Sequence, residues 1–317
     1  MSFKVPILFL VFNRPQTTIK VFEKIKEIKP SFLYVAADGP RKDKPREKEI
    51  CEQVRNIVLS NVDWECDVKT LFREENLGCG KAVSGAIDWF FKNVEEGIIL
   101  EDDCLPNKSF FKYCEVMLNR YSNDNKVMHI SGNNFQFGTK RGNGNYYYSI
   151  LVHIWGWASW RRAWQYYQFD LRKARPISNE SYNLAFNQNK LYTKYYDDLF
   201  LNLRQHPIDS WDYQWQNAII GTNGLAICPN VNLVQNIGFG KDATHTLNET
   251  EWNSLNITHL LESFHSPNEM KIFYEADEFV LQEILGLRKY IAEKPNNFNL
   301  IIFKTIKRNI CKYLKAR

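Results

Sequence analysis

Three consecutive acidic residues, Glu101, Asp102 and Asp103, directly follow the apolar run Ile98-Ile99-Leu100. Adjacent carboxylates repel one another, so their grouping favours a bound cation over a role in packing. Hard oxygen ligands suit Mn²⁺ or Mg²⁺, which one or two carboxylates and the phosphates of a substrate can hold together. A solvated acidic turn is the alternative, but the apolar run that delivers the acids favours a metal site.

The acidic residues end one of several strands that alternate with helices along the first part of the chain. Apolar runs predict strands over residues 5–12, 32–37, 66–72 and 97–100, and helical apolar spacing predicts helices over 17–25, 44–59 and 81–92. This alternation predicts an α/β fold with a mostly parallel sheet flanked by helices. The carboxyl ends of parallel strands meet at one edge of such a sheet, where ligands bind.

Further polar residues follow the predicted strands and should therefore lie at the same edge. They are Asn13, Arg14, Asp38, Arg73, Asn76 and Lys81. Such an edge can hold a nucleotide diphosphate, with Asp38 accepting from the base or a ribose hydroxyl and Arg14, Arg73 or Lys81 meeting phosphate charge. A turn residue or a surface ion pair is the open alternative for each of them. Neither a Gly-x-Gly-x-x-Gly motif nor a P-loop is present.

Three short motifs in this region resemble the nucleotide-sugar half of GT-A glycosyltransferases, especially N-acetylglucosaminyltransferase I and its bacterial relatives. They are Val-Phe-Asn-Arg at 11–14, Ala-Asp-Gly at 37–39 and Leu-Glu-Asp-Asp at 100–103. The segment Asn76-Leu77-Gly78 is also similar to an Asn-x-Gly found before the metal strand of related transferases. The resemblance implies the Rossmann-like GT-A fold, a UDP-sugar donor and Mn²⁺.

The same resemblance implies a role for each matched residue. Asp103 would be the direct metal ligand, and Glu101 and Asp102 would contact the ribose or metal-bound water. Arg14 and Asp38 match positions that hold the nucleotide.

The second half of the chain resembles the same family at Gly156-Trp157, Trp211-Asp212 and a Phe-Gly segment that contains Gly240 and leads to His245. The resemblance implies that Asp212 is the catalytic base, and that the loop with Gly240 and His245 closes over the donor sugar.

The residues of this half leave alternatives open. Asp209 and then Asp242 are the nearest competitors of Asp212 for the role of base. Trp157 could form a wall for a sugar ring or belong to a packed aromatic core, and both interpretations remain open. We interpret His129, His153 and His206 as structural.

The motifs suggest three regions. Residues 1–130 would form the nucleotide-sugar half, residues 131–265 the acceptor and catalytic half of the same domain, and residues 266–317 a helical C-terminal region. The stretch 132–148 is predicted to be a long surface loop. Residues 299–317 form a basic amphipathic segment, which could contact an anionic membrane or dock on the protein.

Composition sets limits on these interpretations. The 317 residues carry a mild net charge of +5, which does not indicate a nucleic-acid partner. No apolar window has the length of a membrane span and no secretory signal is present, so we expect a cytoplasmic protein. Seven cysteines without a Cys-x-x-Cys pair predict reduced thiols rather than disulfides or a zinc site.

The acidic strand end and the resemblance to GT-A glycosyltransferases together imply metal-dependent, inverting glycosyl transfer. A UDP-sugar would donate an N-acetylhexosamine or hexose to a hydroxyl of a cell-surface glycan precursor. A nucleotidyltransferase that acts on a sugar phosphate is one alternative, although it should carry a glycine-rich loop where Asn13-Arg14-Pro15 stands. A non-catalytic carbohydrate-binding protein on a transferase scaffold is the other.

Overall fold

A computed structural model describes residues 2–238, 257–258 and 264–287. Strands and helices alternate along most of this part of the chain. The strands are β1 Ile7–Val11, β2 Phe32–Ala37, β3 Asp67–Phe72, β4 Glu96–Glu101, β5 Cys104–Pro106, β6 Val127–Ser131, β7 Tyr146–Ser149, β8 Trp157–Trp160, β9 Leu225–Pro229 and β10 Val234–Asn236. Gly240, His245 and the tail 299–317 lie outside the described residues.

The helices cover both faces of the sheet. They are α1 Pro15–Ile28, α2 Glu47–Ser60, α3 Cys79–Asn93, α4 Lys108–Arg120, α5 Arg161–Trp164, α6 Asn179–Ala185, α7 Lys190–Gln205, α8 Asp212–Gly221 and α9 Tyr274–Phe279, the last of which continues into a π-helix, Val280–Ile284. Within the helical C-terminal region predicted over 266–317, the described helix begins at Tyr274, and the part beyond residue 287 lies outside the described residues.

The main sheet has the order β3-β2-β1-β4-β8-β6-β9-β7. Strands β1 to β4 are parallel neighbours, β6 and β9 are parallel to each other, and β8 and β7 run antiparallel to the strands they pair with. The predicted mostly parallel α/β sheet is confirmed. This single sheet runs through both predicted halves of the domain.

The first strand shows why the sequence folds this way. All five residues of β1 are buried, as expected for a parallel strand that helices cover on both sides. Helix α1 begins with Pro15, whose missing N–H costs nothing at a helix start. It then buries one stripe, Thr18, Val21, Phe22 and Ile25.

The prediction of a long surface loop over 132–148 holds only in part: residues 132–145 contain no helix or strand and are exposed at 137–140 and 142–143, but much of the segment is buried. The segment contains β7 at the edge of the sheet, and its polar side chains Asn134 and Gln136 are buried. Asn134 Nδ2 donates to the carbonyl of Pro229 at 2.6 Å, and Gln136 Nε2 donates to that of Ala276 at 3.0 Å. Backbone carbonyl groups of the protein thus accept the hydrogen bonds that water would accept at the surface. For this reason the polar composition of the segment did not indicate exposure.

Two further expectations can be compared with the structure. The six cysteines among the described residues are free, and Cys51, Cys104, Cys114 and Cys228 are buried. Within the same residues, no helix combines the length and apolar character needed to cross a bilayer.

Candidate active site

A cavity of about 830 Å³ opens at the carboxyl edge of β1, β2, β3 and β4. Residues 207–209, from the segment before α8, close one side of it. The predicted site residues that line the cavity are Arg14, Asp38, Arg73, Asn76, Lys81, Glu101, Asp102 and Asp103. Asn13, Trp157 and Asp212 are not among its lining residues. The topology therefore gathers the strand-end residues, as expected for this type of sheet.

The acidic residues at the end of β4 face a guanidinium from the end of β1. Arg14 Nη1 lies 2.7 Å from Asp103 Oδ2 and 3.4 Å from Asp102 Oδ1. The backbone N–H of Phe12 donates to the other oxygen of Asp102 at 3.2 Å. Burial by itself lowers the pKa of Arg14, but the charges of Asp102 and Asp103 outweigh it and raise that pKa above its usual range.

One guanidinium does not balance this cluster. Burial, followed by the charges of Asp103 and Asp102, raises the pKa of Glu101 well above the usual range of a carboxyl group. The charge of Asp212, which belongs to a distant segment of the chain, contributes to the same upward shift. Burial also raises the pKa of Asp102, although Arg14 opposes that shift. The site has an excess of negative charge that a cation would relieve.

The donors present are compatible with a divalent cation that a substrate helps to hold. Among the described residues, no group of three or more His, Cys, Asp and Glu side chains is arranged to hold a metal alone. Asp103 Oδ2 accepts from Arg14, whereas Oδ1 accepts from the Cys104 thiol, a weak donor, at 3.5 Å. Mg²⁺ and Mn²⁺ are commonly held by one carboxylate together with phosphate oxygens and water.

Asp38 lines the cavity, but its carboxylate is already engaged by the protein. It accepts hydrogen bonds from the N–H of Gly39 at 2.9 Å, from the N–H of Leu77 at 3.1 Å and from Asn76 Nδ2 at 3.0 Å. Asn76 Nδ2 also donates to the carbonyl of Gly39 at 2.9 Å. Asp38 and Asn76 thus connect the turn after β2 to the turn after β3, and the nucleotide contact expected of them stays a prediction.

Asn13 points away from the acidic cluster. Its amide donates to Glu47 Oε1 at 2.9 Å, and Arg41 pairs with the same carboxylate. Burial raises the pKa of Glu47, but the Arg41 hydrogen bonds outweigh it and leave the pKa below its usual range. This cluster holds the start of α2 against the end of β1, so the structure gives Asn13 a supporting position.

Two cations of the cavity wall are available to an anionic ligand. Arg73 is half-buried, and its guanidinium makes no hydrogen bond or ion pair with another described residue. Burial lowers its pKa, and the charge of Asp38 opposes that shift only in part. Lys81, in the first turn of α3, is exposed at the same wall. Their positions suit the phosphate contacts predicted for them.

Trp157 belongs to the aromatic core. It is 1% exposed and stacks on Trp211, with ring centroids 5.6 Å apart, and on His129, at 5.0 Å. Of the two interpretations left open for this residue, its burial agrees with packing and not with a sugar-contacting wall. Trp160 and Trp164 are also buried. The ring of Trp157 packs against Trp211, just before α8, and does not line the cavity.

Asp209 has a position that the sequence did not indicate. Its carboxylate accepts hydrogen bonds from the N–H groups of Cys79 and Gly80, at 3.0 and 2.6 Å, at the start of α3. The spacing Gly78-x-Gly80 is a signal of close backbone approach that could have suggested such a contact. Asp212 follows as the first residue of α8, and Ser210 Oγ donates a hydrogen bond to it.

Comparison with known proteins does not assign the chain to a family. No family model and no curated protein matches the sequence. Similar solved structures include a UDP-glucose pyrophosphorylase complexed with UDP-glucose, with 10% identity and a TM-score of 0.35 over 71% of this chain and 90% of that one. They also include TarS from S. aureus, with 13% identity and a TM-score of 0.31 over 49% of this chain and 47% of that one. HddC from Yersinia pseudotuberculosis has 10% identity and a TM-score of 0.30, over 50% and 77%. Matches at this level carry no conclusion about activity.

Proposed function

We propose that the protein is a metal-dependent glycosyltransferase that moves a sugar from a UDP-sugar to a hydroxyl of a glycan precursor, with inversion at the anomeric carbon. The observation that carries the proposal is the cavity at the ends of β1 to β4, which brings the acids that end β4 together with Arg73 and Lys81. The charge of Asp212, at the start of α8, contributes to the raised pKa of Glu101 and supports a place for Asp212 beside this cavity. A donor-side acid cluster and a separate carboxylate are what an inverting transfer requires.

The donor would occupy the cavity between the ends of β1 to β4. Its diphosphate would meet Arg73 and Lys81, two cations that line this wall and form no salt bridge with a described residue. Asp103, through its Oδ1 atom, would hold Mn²⁺ or Mg²⁺ together with that diphosphate. The metal ion supplies charge neutralisation for the departing diphosphate.

Asp212 would act as the general base. In an inverting transfer the acceptor hydroxyl attacks the side of the anomeric carbon opposite the leaving group, so the base must lie away from the phosphates. Asp212 belongs to a different segment from the donor-side cations and has the Ser210 hydroxyl as a hydrogen-bond partner. That bond would orient one of the two carboxylate oxygens.

Other parts of the proposal rest on the sequence alone. The closing loop with Gly240 and His245, the membrane contact of residues 299–317 and a cytoplasmic site of action are retained as proposals. The transferred sugar would be an N-acetylhexosamine or a hexose, and the acceptor a cell-surface glycan precursor or glycolipid.

The experiment combines transfer assays with calorimetry. We expect the purified chain to bind UDP with Mn²⁺ and to release UDP from one member of a UDP-sugar panel when a glycan acceptor is present. Asp212→Asn should lower transfer by roughly 10²-fold, within the usual range for a general base, and leave the affinity for UDP and Mn²⁺ near wild type. Asp63→Asn, on an exposed carboxylate paired with Lys26, is the matched control.

Two results would contradict the proposal. Full transfer by Asp212→Asn would remove this residue from the role of base. Formation of a nucleotide sugar and pyrophosphate from UTP and a sugar phosphate, without transfer to any acceptor, would identify a nucleotidyltransferase instead.

A further inference from the structure

The carboxylate of Asp209 holds the segment before α8 against the start of α3. It accepts from Cys79 N at 3.0 Å and from Gly80 N at 2.6 Å, across a separation of about 130 residues. The first N–H groups of a helix have no partner within the helix, and the positive end of the helix dipole favours a carboxylate. Asp209 therefore caps a 15-residue helix from outside it.

Two glycines make this approach possible. A Cβ atom on Gly78 would lie 2.5 Å from Asp209 Oδ2, and one on Gly80 would lie 2.8 Å from the carbonyl oxygen of Ser210. Gly78 also has a φ of 81°, a conformation that other residues rarely adopt. Neither glycine position leaves room for a side chain, so the start of α3 can approach the turn at 208–210 closely.

The contact lies immediately before Asp212. Ser210 is 3% exposed, its N–H donates to the carbonyl of Ile208 at 2.9 Å, and its hydroxyl donates to Asp212. Gln214 Nε2 donates to the Ser210 carbonyl at 2.9 Å. The turn at 208–210 is therefore fixed both to α3, which lines the donor cavity, and to the first turn of α8.

We propose that Asp209 is a positioning residue that fixes the distance between Asp212 and the donor cavity by tying the turn at 208–210 to the start of α3. This inference rests on the proposed function, because it assigns to Asp209 an effect on the base of that reaction. Asp209 itself does not exchange a proton with the substrate. A displacement of about 1 Å in a reacting group can cost on the order of 10²-fold in rate, so a loosened turn should be visible in turnover.

The test uses the full-length chain and three substitutions. Asp209→Asn removes the charge and one of the two acceptors, and we expect kcat to fall by about 10-fold or more while KM for the UDP-sugar stays within about twofold. Gly80→Ala should reproduce this loss without changing Asp209, because its methyl group would push on the Ser210 backbone. Gly221→Ala, whose added Cβ meets its nearest neighbour at 3.6 Å, is the control and should behave like wild type.

A double substitution separates positioning from a general structural effect. If Asp209 acts through Asp212, the Asp209→Asn/Asp212→Asn protein should lose no more turnover than Asp212→Asn alone, whereas independent structural damage would add to it. Hydrogen exchange at the amides of Cys79 and Gly80 should quicken in Asp209→Asn, with an unchanged exchange rate in the strands of the sheet.

The outcomes distinguish this inference from the function on which it rests. A wild-type chain that transfers no sugar would overturn the proposed function and this role with it. An active wild type whose kcat survives Asp209→Asn, despite faster exchange at Cys79 and Gly80, would overturn only the positioning role. Losses of turnover that add up in the double variant would also overturn the positioning role. So would a loss in Asp209→Asn that affects only the affinity for the donor.

Discussion

Arg14 and Asp103 connect the ends of two neighbouring strands, with Nη1 of the first 2.7 Å from Oδ2 of the second. Because β1 and β4 are adjacent and parallel, residues that follow them meet at the same edge. The guanidinium is thus placed where three consecutive carboxylates would otherwise face one another. Arg14 thus offsets part of the negative charge that the three acids would present to a ligand.

Removal of this charge should destabilise the protein. Arg14 and Asp103 side chains are 18% and 15% exposed, so Arg14→Gln would leave a mostly buried acidic cluster without its cation. We expect the free energy of unfolding to fall by about 3 kcal/mol, as for the loss of one partner of a buried pair. Urea unfolding without metal measures it. Arg172→Gln, at an exposed pair with Asp170, should change it by less than about 0.5 kcal/mol, and an equal loss in both variants would contradict the argument.

Asp103→Asn should separate metal binding from folding. The substitution removes one negative charge from a crowded cluster and keeps an acceptor for Arg14, so the melting temperature without ligand should stay within a few degrees of wild type. Calorimetry should show that the Mn²⁺-dependent part of UDP binding is lost. Retention of Mn²⁺-dependent affinity in this variant would remove Asp103 from the metal site, whereas Asp63→Asn should retain it.

Asp38 should matter for stability. Asp38→Ala would leave the N–H of Leu77 without its side-chain acceptor and would remove one of the two acceptors of the Asn76 amide, and we expect a loss of about 1 to 3 kcal/mol in the free energy of unfolding. Asp43→Ala, an exposed acid of the same cavity wall, is the matched control. Equal stability of the two variants, with a loss of UDP affinity in Asp38→Ala alone, would favour the nucleotide contact predicted from the sequence.

The sequence predicted the part of the site that depends on local order along the chain. An apolar run followed by charged residues marks the end of a buried strand, and parallel strands bring such ends together, so Arg14, Arg73 and Asp103 could be assigned to one edge before their contacts were known. The sheet itself followed from the same alternation.

The remaining features depend on contacts between distant segments. The capping of α3 by Asp209 joins residues about 130 positions apart, and no local pattern distinguishes this carboxylate from that of Asp212. The sequence could not assign Trp157 to the core or to the cavity wall, because an aromatic side chain suits both places. The polar stretch that contains Asn134 is buried since its hydrogen bonds come from the rest of the chain.

His129 should make the protein sensitive to acid. Trp215 Nε1 donates to its Nδ1 at 3.1 Å, so the neutral ring carries its proton on Nε2, which lies 3.0 Å from the His153 carbonyl. Burial lowers the pKa of His129 from 6.5 to about 3. The unfolded chain therefore binds a proton that the folded chain does not, and this contribution to stability is lost as pH falls from about 6.5 towards 3.

Urea unfolding at a series of pH values between about 7 and 4.5 measures this effect. Over the acidic part of this range His129 becomes protonated in the unfolded chain but stays neutral in the folded chain. His129→Gln should be less stable at neutral pH but should show a shallower decline. A residual decline is expected, because burial also lowers the pKa of His153, to about 4. Identical slopes in the variant and wild type would show that His129 is not the source.

Gly97 should tolerate no side chain, and its substitution should couple stability to the site. A Cβ atom on this residue of β4 would collide with the ring of Phe90 and would lie 2.8 Å from the carbonyl oxygen of Pro6. Phe90 is fully buried, and its ring centroid is 5.1 Å from that of Tyr34 and 5.2 Å from that of Phe91, so it has little room to move. Overpacking of such a core costs about 1 to 3 kcal/mol.

Because β4 carries Glu101 at its other end, relief of this collision by a shift of the strand would also displace the acidic residues. Gly97→Ala should therefore lower both the free energy of unfolding and the Mn²⁺-dependent affinity for UDP. Phe90→Leu in the same chain should restore part of both quantities, since a smaller side chain makes room for the methyl group. Gly221→Ala should change neither. Lost stability with full UDP affinity would show that Phe90 yields instead, and that the strand holds its position.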